Sequence, residues 1–104
     1  MKYAPEAGDL IWTDFDPRIG REQGGRRPAL VVSPVLFWQA SGFAIVCPIT
    51  SKVRLFGTSV VLPAGLPIAG EILCSHVRSI DTDARPIAYA GVSVCGDILV
   101  ARVT

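Results

Sequence analysis

Charge is scarce in this chain: 18% of its 104 residues are Asp, Glu, Lys or Arg, where about 25% is usual. Half are hydrophobic, enough apolar surface to offset the entropy of ordering, which excludes a disordered chain. Long apolar runs are missing as well. The longest uncharged stretch, Pro28 to Ser51, is broken by Pro34, Gln39, Ser41-Gly42 and Pro48, so no run reaches the roughly 20 apolar residues of a membrane span. The three cysteines, Cys47, Cys74 and Cys95, are odd in number and form no C-x-x-C, which indicates neither a zinc ribbon nor a disulfide framework. Cys47 and Cys74 lie in apolar runs and read as buried small hydrophobes. The N-terminus lacks the apolar core of a signal peptide. Reduced thiols and no export signal predict a cytoplasmic protein.

Chemistry-bearing motifs are few. His76 is the only histidine, so any Ser-His-Asp or Cys-His arrangement would have to use it. Cys74 and His76 are two apart, and on a strand would share one face. The chain has neither G-x-x-x-x-G-K-[ST] nor G-x-G-x-x-G, and no three-ligand zinc cluster. An enzyme of this composition is therefore expected to work with no metal and no nucleotide cofactor.

The net charge of +1 favours no partner class, but its distribution is uneven. Residues 1–16 hold four acids against Lys2, and residues 17–85 hold eight bases against four acids. Eight of the ten bases are Arg, whose planar fork suits phosphate. Scattered surface Arg would explain the same count.

Short apolar runs separated by Gly and Pro predict strands over 10–15, 29–32, 43–47 (ended by Pro48), 58–62, 71–74 with 77–80 as a continuation, and 87–94. This spacing suits one domain, residues 1–104, built as a small antiparallel barrel or sandwich. The tail from Gly96 fits a helix, with Asp97 in its first turn, while its Val and Ile content by itself favours a strand. Between the first two strands runs a ten-residue loop, Arg18 to Arg27, containing Gly20, Gly24 and Gly25. Glycine permits tight backbone and close ligand approach, and Pro28 biases Arg27 toward extended geometry. A rigidly held Arg suits phosphoryl chemistry. A solvated hairpin loop is the plainer alternative.

The block Gly8-Asp9-Leu10-Ile11-Trp12-Thr13-Asp14-Phe15-Asp16-Pro17 is followed by Gly20-x-Glu22-Gln23-Gly24-Gly25-x-Arg27-Pro28 and the run to Pro34. With Cys47-Pro48-Ile49-Thr50-Ser51 and Val77-Arg78-Ser79-Ile80-Asp81, it resembles the MazF/PemK family of toxin endoribonucleases over nearly the whole chain. The resemblance implies a mainly β, SH3-like barrel of the CcdB/MazF type with short helices, including a C-terminal one from about Cys95. It implies a homodimer, sequence-selective and metal-independent cleavage of single-stranded RNA, and a cognate antitoxin. Attack by the 2′-hydroxyl would leave 2′,3′-cyclic phosphate and 5′-hydroxyl ends. The family's catalytic Arg and Thr fall on Arg27 and Thr50; Glu22 is the base candidate, and Gln23, Ser51, Lys52, His76 and Arg78 are candidates for RNA contact. Ser75-His76 stands where many relatives carry Asp-Gln, and a neutral Ser cannot act as a carboxylate. His76 is a candidate replacement for proton transfer, a role imidazole commonly takes. The alternatives kept open are a gyrase poison like CcdB, since fold does not fix function, and a catalytically altered relative that binds RNA.

Overall fold

The computed structural model describes residues 3–15, 25–55 and 57–92. Apolar burial sets its first two strands. β1 (Asp9–Asp14) buries Leu10, Ile11 and Thr13 while Trp12 and Asp14 stay exposed. It pairs antiparallel with β2 (Arg26–Val31), Leu10 against Leu30 and Thr13 against Arg27. β2 thus begins three residues earlier than its apolar letters suggest, taking Arg26 and Arg27 out of the loop and into the ladder.

A helix, α1 (Val35–Ser41), fills the connection to β3. It carries no charge, and Gln39 and Ser41 are its only polar residues, so no helical period marks it in the sequence. Its ends are nonetheless signalled. Pro34 stands before its first residue, where a missing N–H costs nothing. Gly42 takes the left-handed conformation at φ 76° and donates its N–H to the Trp38 carbonyl at 2.7 Å. Trp38 Nε1 donates to Thr82 Oγ1 at 3.0 Å, and that hydroxyl donates to the Gly42 carbonyl at 2.8 Å.

β3 (Phe43–Thr50) runs on through Pro48 instead of stopping there. One edge pairs with β2. The other is shared: β5 (Glu71–Ile72) pairs with Ile49 and Thr50, and β6 (Arg78–Asp81) pairs with Phe43 to Val46. Pro48 explains the division. Its carbonyl accepts the Leu73 N–H at 2.8 Å, but it has no N–H to return. The Leu73 carbonyl takes the His76 N–H at 3.0 Å instead, which opens the 3-10 turn Cys74–His76. Cys74 and His76 therefore lie on a turn and not on a strand, and 77–80 is a separate strand from 71–72.

β4 (Val60–Val61) flanks β5 and β7 (Ala88–Val92) flanks β1, giving the order β4-β5-β3-β2-β1-β7 with β6 on β3. Among the described residues the hydrogen bonding does not close this sheet into a ring. The architecture is mainly β with a single α-helix in that range. Both faces are buried. One cluster joins Leu10, Leu30, Cys47, Ile49, Leu62, Ile68 and Ile72; the other joins Ile11, Phe15, Ala29, Val31, Ala44, Val46 and Ile80. No helix of the described residues is long and apolar enough to cross a membrane. The predicted C-terminal helix from Cys95 lies outside the described residues.

Candidate active site

Cross-strand pairing brings the candidate residues to one end of the sheet, where β1 and β3 finish and β2 begins. Thr13 faces Arg27. The β2–β3 register pairs Ala29 with Pro48 and Leu30 with Cys47; continued by two residues, it sets Arg27 opposite Thr50. Directly opposed residues of an antiparallel pair share a face, so Thr13, Arg27 and Thr50 form a row on the side of the second cluster. Arg78 is on that side too. It pairs with Val46, and its guanidinium carbon lies 5.6 Å from the centroid of the buried Phe15 ring, a cation–π contact that holds the charge at the sheet end. Four residues far apart in sequence thus share one face.

The opposite face carries a cleft of about 310 Å³, lined by Trp12, Arg26, Pro28, Ile49, Pro67 and Ile68 and bordered by Arg27 and Ser51. Arg26 stands over the Trp12 ring, 5.9 Å from its centroid. An exposed indole beside a guanidinium offers a planar apolar group both a stacking surface and a cation. Trp12 and Arg26 were not singled out from the sequence. Their signal was there: Trp12 is the exposed position between buried Ile11 and Thr13.

Thr50 is fixed from several sides. Its Oγ1 accepts the Lys52 N–H at 3.2 Å, a tight turn at the strand end. A Cβ on Gly70 would stand 2.2 Å from the Thr50 carbonyl oxygen, so the backbone of 70 passes where only glycine fits. Beside Thr50 in the ladder is Glu71, completely buried. Its carboxylate accepts the N–H groups of Arg54 at 3.3 Å and Leu55 at 2.8 Å. A buried carboxylate needs such donors. Sequence reading missed Glu71 because its partners are backbone groups sixteen residues away. The turn it holds presents Lys52 and Arg54 to solvent.

Ser75 is exposed and His76 half-buried on the 3-10 turn. His76 Nδ1 is buried and has no hydrogen-bond partner among the described residues. Glu22 and Gln23 lie outside the described residues. Among those described, no group of three His, Cys, Asp or Glu side chains converges as a metal site would require.

A family model described as "PemK-like, MazF-like toxin of type II toxin-antitoxin system" matches residues 6–94. The chain is 42% identical over 90 residues to the endoribonuclease toxin MazF of Escherichia coli K12, an alignment covering 86% of this chain and 80% of that protein. It is 35% identical over 79 residues to endoribonuclease EndoA of Bacillus subtilis, covering 71% and 68%. The crystal structure of MazF from Deinococcus radiodurans superposes with a TM-score of 0.90 at 39% identity, covering 98% of this chain and 91% of that one. A MazE–MazF complex from the same organism gives 0.83 at 39% identity, covering 98% and 90%.

Proposed function

The chain belongs to the PemK-like, MazF-like toxin family, and from that membership we propose that it is an endoribonuclease toxin, restrained by a cognate antitoxin, that cuts single-stranded RNA without a metal ion. Five relatives, two MazF proteins, PemK, ChpB and EndoA, are each named an endoribonuclease. Solved complexes pair MazF with MazE.

The observation that carries the reaction is the shared face of Arg27 and Thr50. Metal-free RNA cleavage needs the neighbouring 2′-hydroxyl to attack phosphorus, a base to take its proton, an acid to protonate the leaving 5′-oxygen, and donors for the charge that builds on the phosphoryl oxygens. Arg27 supplies a fixed, permanently charged donor fork, held by the β1–β2 ladder and by Pro28. It stabilises the phosphorane; a guanidinium is a charge stabiliser and a poor proton donor. Thr50 supplies a hydroxyl to a phosphoryl oxygen from across the ladder. Arg78 adds a second cation on the same face. Glu22 is the base in this reading. The products are a 2′,3′-cyclic phosphate and a 5′-hydroxyl.

Gln23, Ser51, Lys52 and His76 contact the RNA in this proposal. Ser51 borders the cleft, Lys52 lies on the exposed turn after Thr50, and His76 is on the 3-10 turn. With Ser75 in place of a carboxylate, the reading assigns no role to an Asp at that position. The protein acts as a homodimer in the cytoplasm. Exposed Leu36, Phe37 and Phe43, on and beside α1, support a second copy on that side.

The test is end mapping on a mixed RNA pool in EDTA. Cleavage with cyclic-phosphate ends is expected, and a 2′-deoxy residue at the cut should block it. Cutting of the 2′-deoxy substrate would overturn the mechanism. Absence of cutting together with gyrase inhibition would overturn the ribonuclease reading in favour of a CcdB-like poison.

A further inference from the structure

The β3–β5 register pairs Ile49 with Ile72 and Thr50 with Glu71. The Leu73 N–H bonded to the Pro48 carbonyl at 2.8 Å carries the same register one residue further. Cys47 precedes Pro48 on β3, and Cys74 opens the 3-10 turn directly after Leu73. The two cysteines are thus the immediate chain neighbours of a hydrogen-bonded cross-strand pair, whose own Cα atoms stand about 5.5 Å apart, on the scale of the separation, about 4.4–6.8 Å, that a disulfide spans.

The side chains agree with the register. Cys47 is fully buried in the cluster with Ile49 and Ile72, and Cys74 packs against that same cluster from its edge. Cys74 is partly accessible, and its Sγ is 3.7 Å from the Ile72 carbonyl. Burial first, and Cys74 second, push the Cys47 thiol up, and burial pushes the Cys74 thiol up as well.

We propose that Cys47 and Cys74 are an oxidative modification site, forming a reversible intramolecular disulfide that ties the 3-10 turn to β3, three residues before Thr50. A peroxide is the oxidant. Cys74, the more accessible of the two, attacks one peroxide oxygen through its thiolate, which burial makes the minor form, and breaks the O–O bond, leaving a sulfenic acid and hydroxide. The Cys47 thiol then attacks the sulfenic sulfur, its proton leaves with the hydroxyl as water, and the S–S bond forms. Two thiols and one hydrogen peroxide give one disulfide and two waters. The bond would lock the turn that carries Ser75 and His76 against the strand that carries Thr50. It does not depend on the ribonuclease reading, since it requires only the ladder and the two thiols.

The test is hydrogen peroxide treatment of the full chain carrying Cys95→Ser, which removes the third thiol. Expected are a monomer-mass protein short of two hydrogens, a peptide map joining 47 to 74, loss of both alkylatable thiols, and full recovery with dithiothreitol. The oxidised form should melt at least about 5 °C higher, because the bridge closes a long loop in the unfolded chain. Cys74→Ser, at a partly exposed position, should fold and form no bridge. Oxidation of Cys74 to sulfinic acid with Cys47 still alkylatable would overturn the proposal, as would a bridge confined to intermolecular dimers. RNA cleavage by reduced and bridged protein, compared at equal concentration, should fall on bridging and return with dithiothreitol; equal rates would overturn the coupling to Thr50 while the mass data decide the bridge.

Discussion

Glu71 holds Leu55. Its Oε2 accepts the Leu55 N–H at 2.8 Å, and Leu55 is the one non-glycine among the described residues with positive φ, at 55°. A left-handed leucine costs on the order of 1 kcal/mol, so the turn after Thr50 keeps this shape because a buried carboxylate holds it. Glu71→Gln keeps the volume and removes the charge. It should lower stability by roughly 1–3 kcal/mol. If the turn presents Lys52 and Arg54 to RNA, KM should rise several-fold with kcat nearly unchanged. An unchanged KM in a folded variant would separate the turn from RNA binding.

Arg27→Ala and Thr50→Ala should each leave the fold intact, as both residues are partly exposed. Loss of the Arg27 donors should slow cleavage at least ~100-fold, the scale of removing one preorganised donor to a developing oxyanion. Arg27→Lys should recover little, because a point charge does not replace the fork. Single-turnover cleavage of a defined RNA measures this.

Gly70→Ala places a methyl where the Thr50 carbonyl oxygen would be 2.2 Å away, at a φ of 140° that side chains avoid. Thermal melts should show a loss of about 2–3 kcal/mol with reduced cleavage. Gly57→Ala is the control: nothing lies within 4 Å of its added Cβ, and stability should stay within about 0.5 kcal/mol.

Alkaline pH should destabilise the reduced protein. Burial, with Cys74 beside it, pushes the Cys47 thiol from 9.0 up to about 12. Burial and the hydrogen bond to Asp9 push the Tyr3 hydroxyl up as well. A group whose folded pKa is raised keeps its proton in the fold after the unfolded chain has lost it. Its stabilising contribution is therefore full below about pH 9 and falls as pH rises above that, by up to ~1.4 kcal/mol per pH unit for each such proton. Melting temperature against pH should decline from about pH 9, less steeply in Tyr3→Phe.

Leu36 is 71% exposed on a helix without a charged residue. If that surface meets a second copy, Leu36→Glu should shift the mass measured by light scattering from dimer to monomer without changing the melting cooperativity. A dimer unaffected by the substitution would put the contact elsewhere.

Most strands were legible because they are short, apolar and bracketed by glycine or proline. Reading failed where backbone partners decide. Pro48 looks like a strand end; the strand continues because the lost donor matters on one edge alone, and Leu73 finds His76 instead. The helix Val35–Ser41 was missed because it has no polar face to mark a period. Arg27 and Thr50 were recognisable as motif residues, but nothing in their spacing of twenty-three positions says that they face one another.

The amino-acid order alone determined a mainly β chain of short strands and a loop-to-strand Arg-Pro junction, because apolar runs, turn residues and proline act over a few neighbouring positions. Tertiary structure decided which side chains meet. Cross-strand register puts Arg27 and Thr50 on one face, and packing brings Cys47 and Cys74 to one cluster and buries Glu71 under the turn it holds. These are contacts between residues far apart in the chain, and they exist only once the ladders have formed.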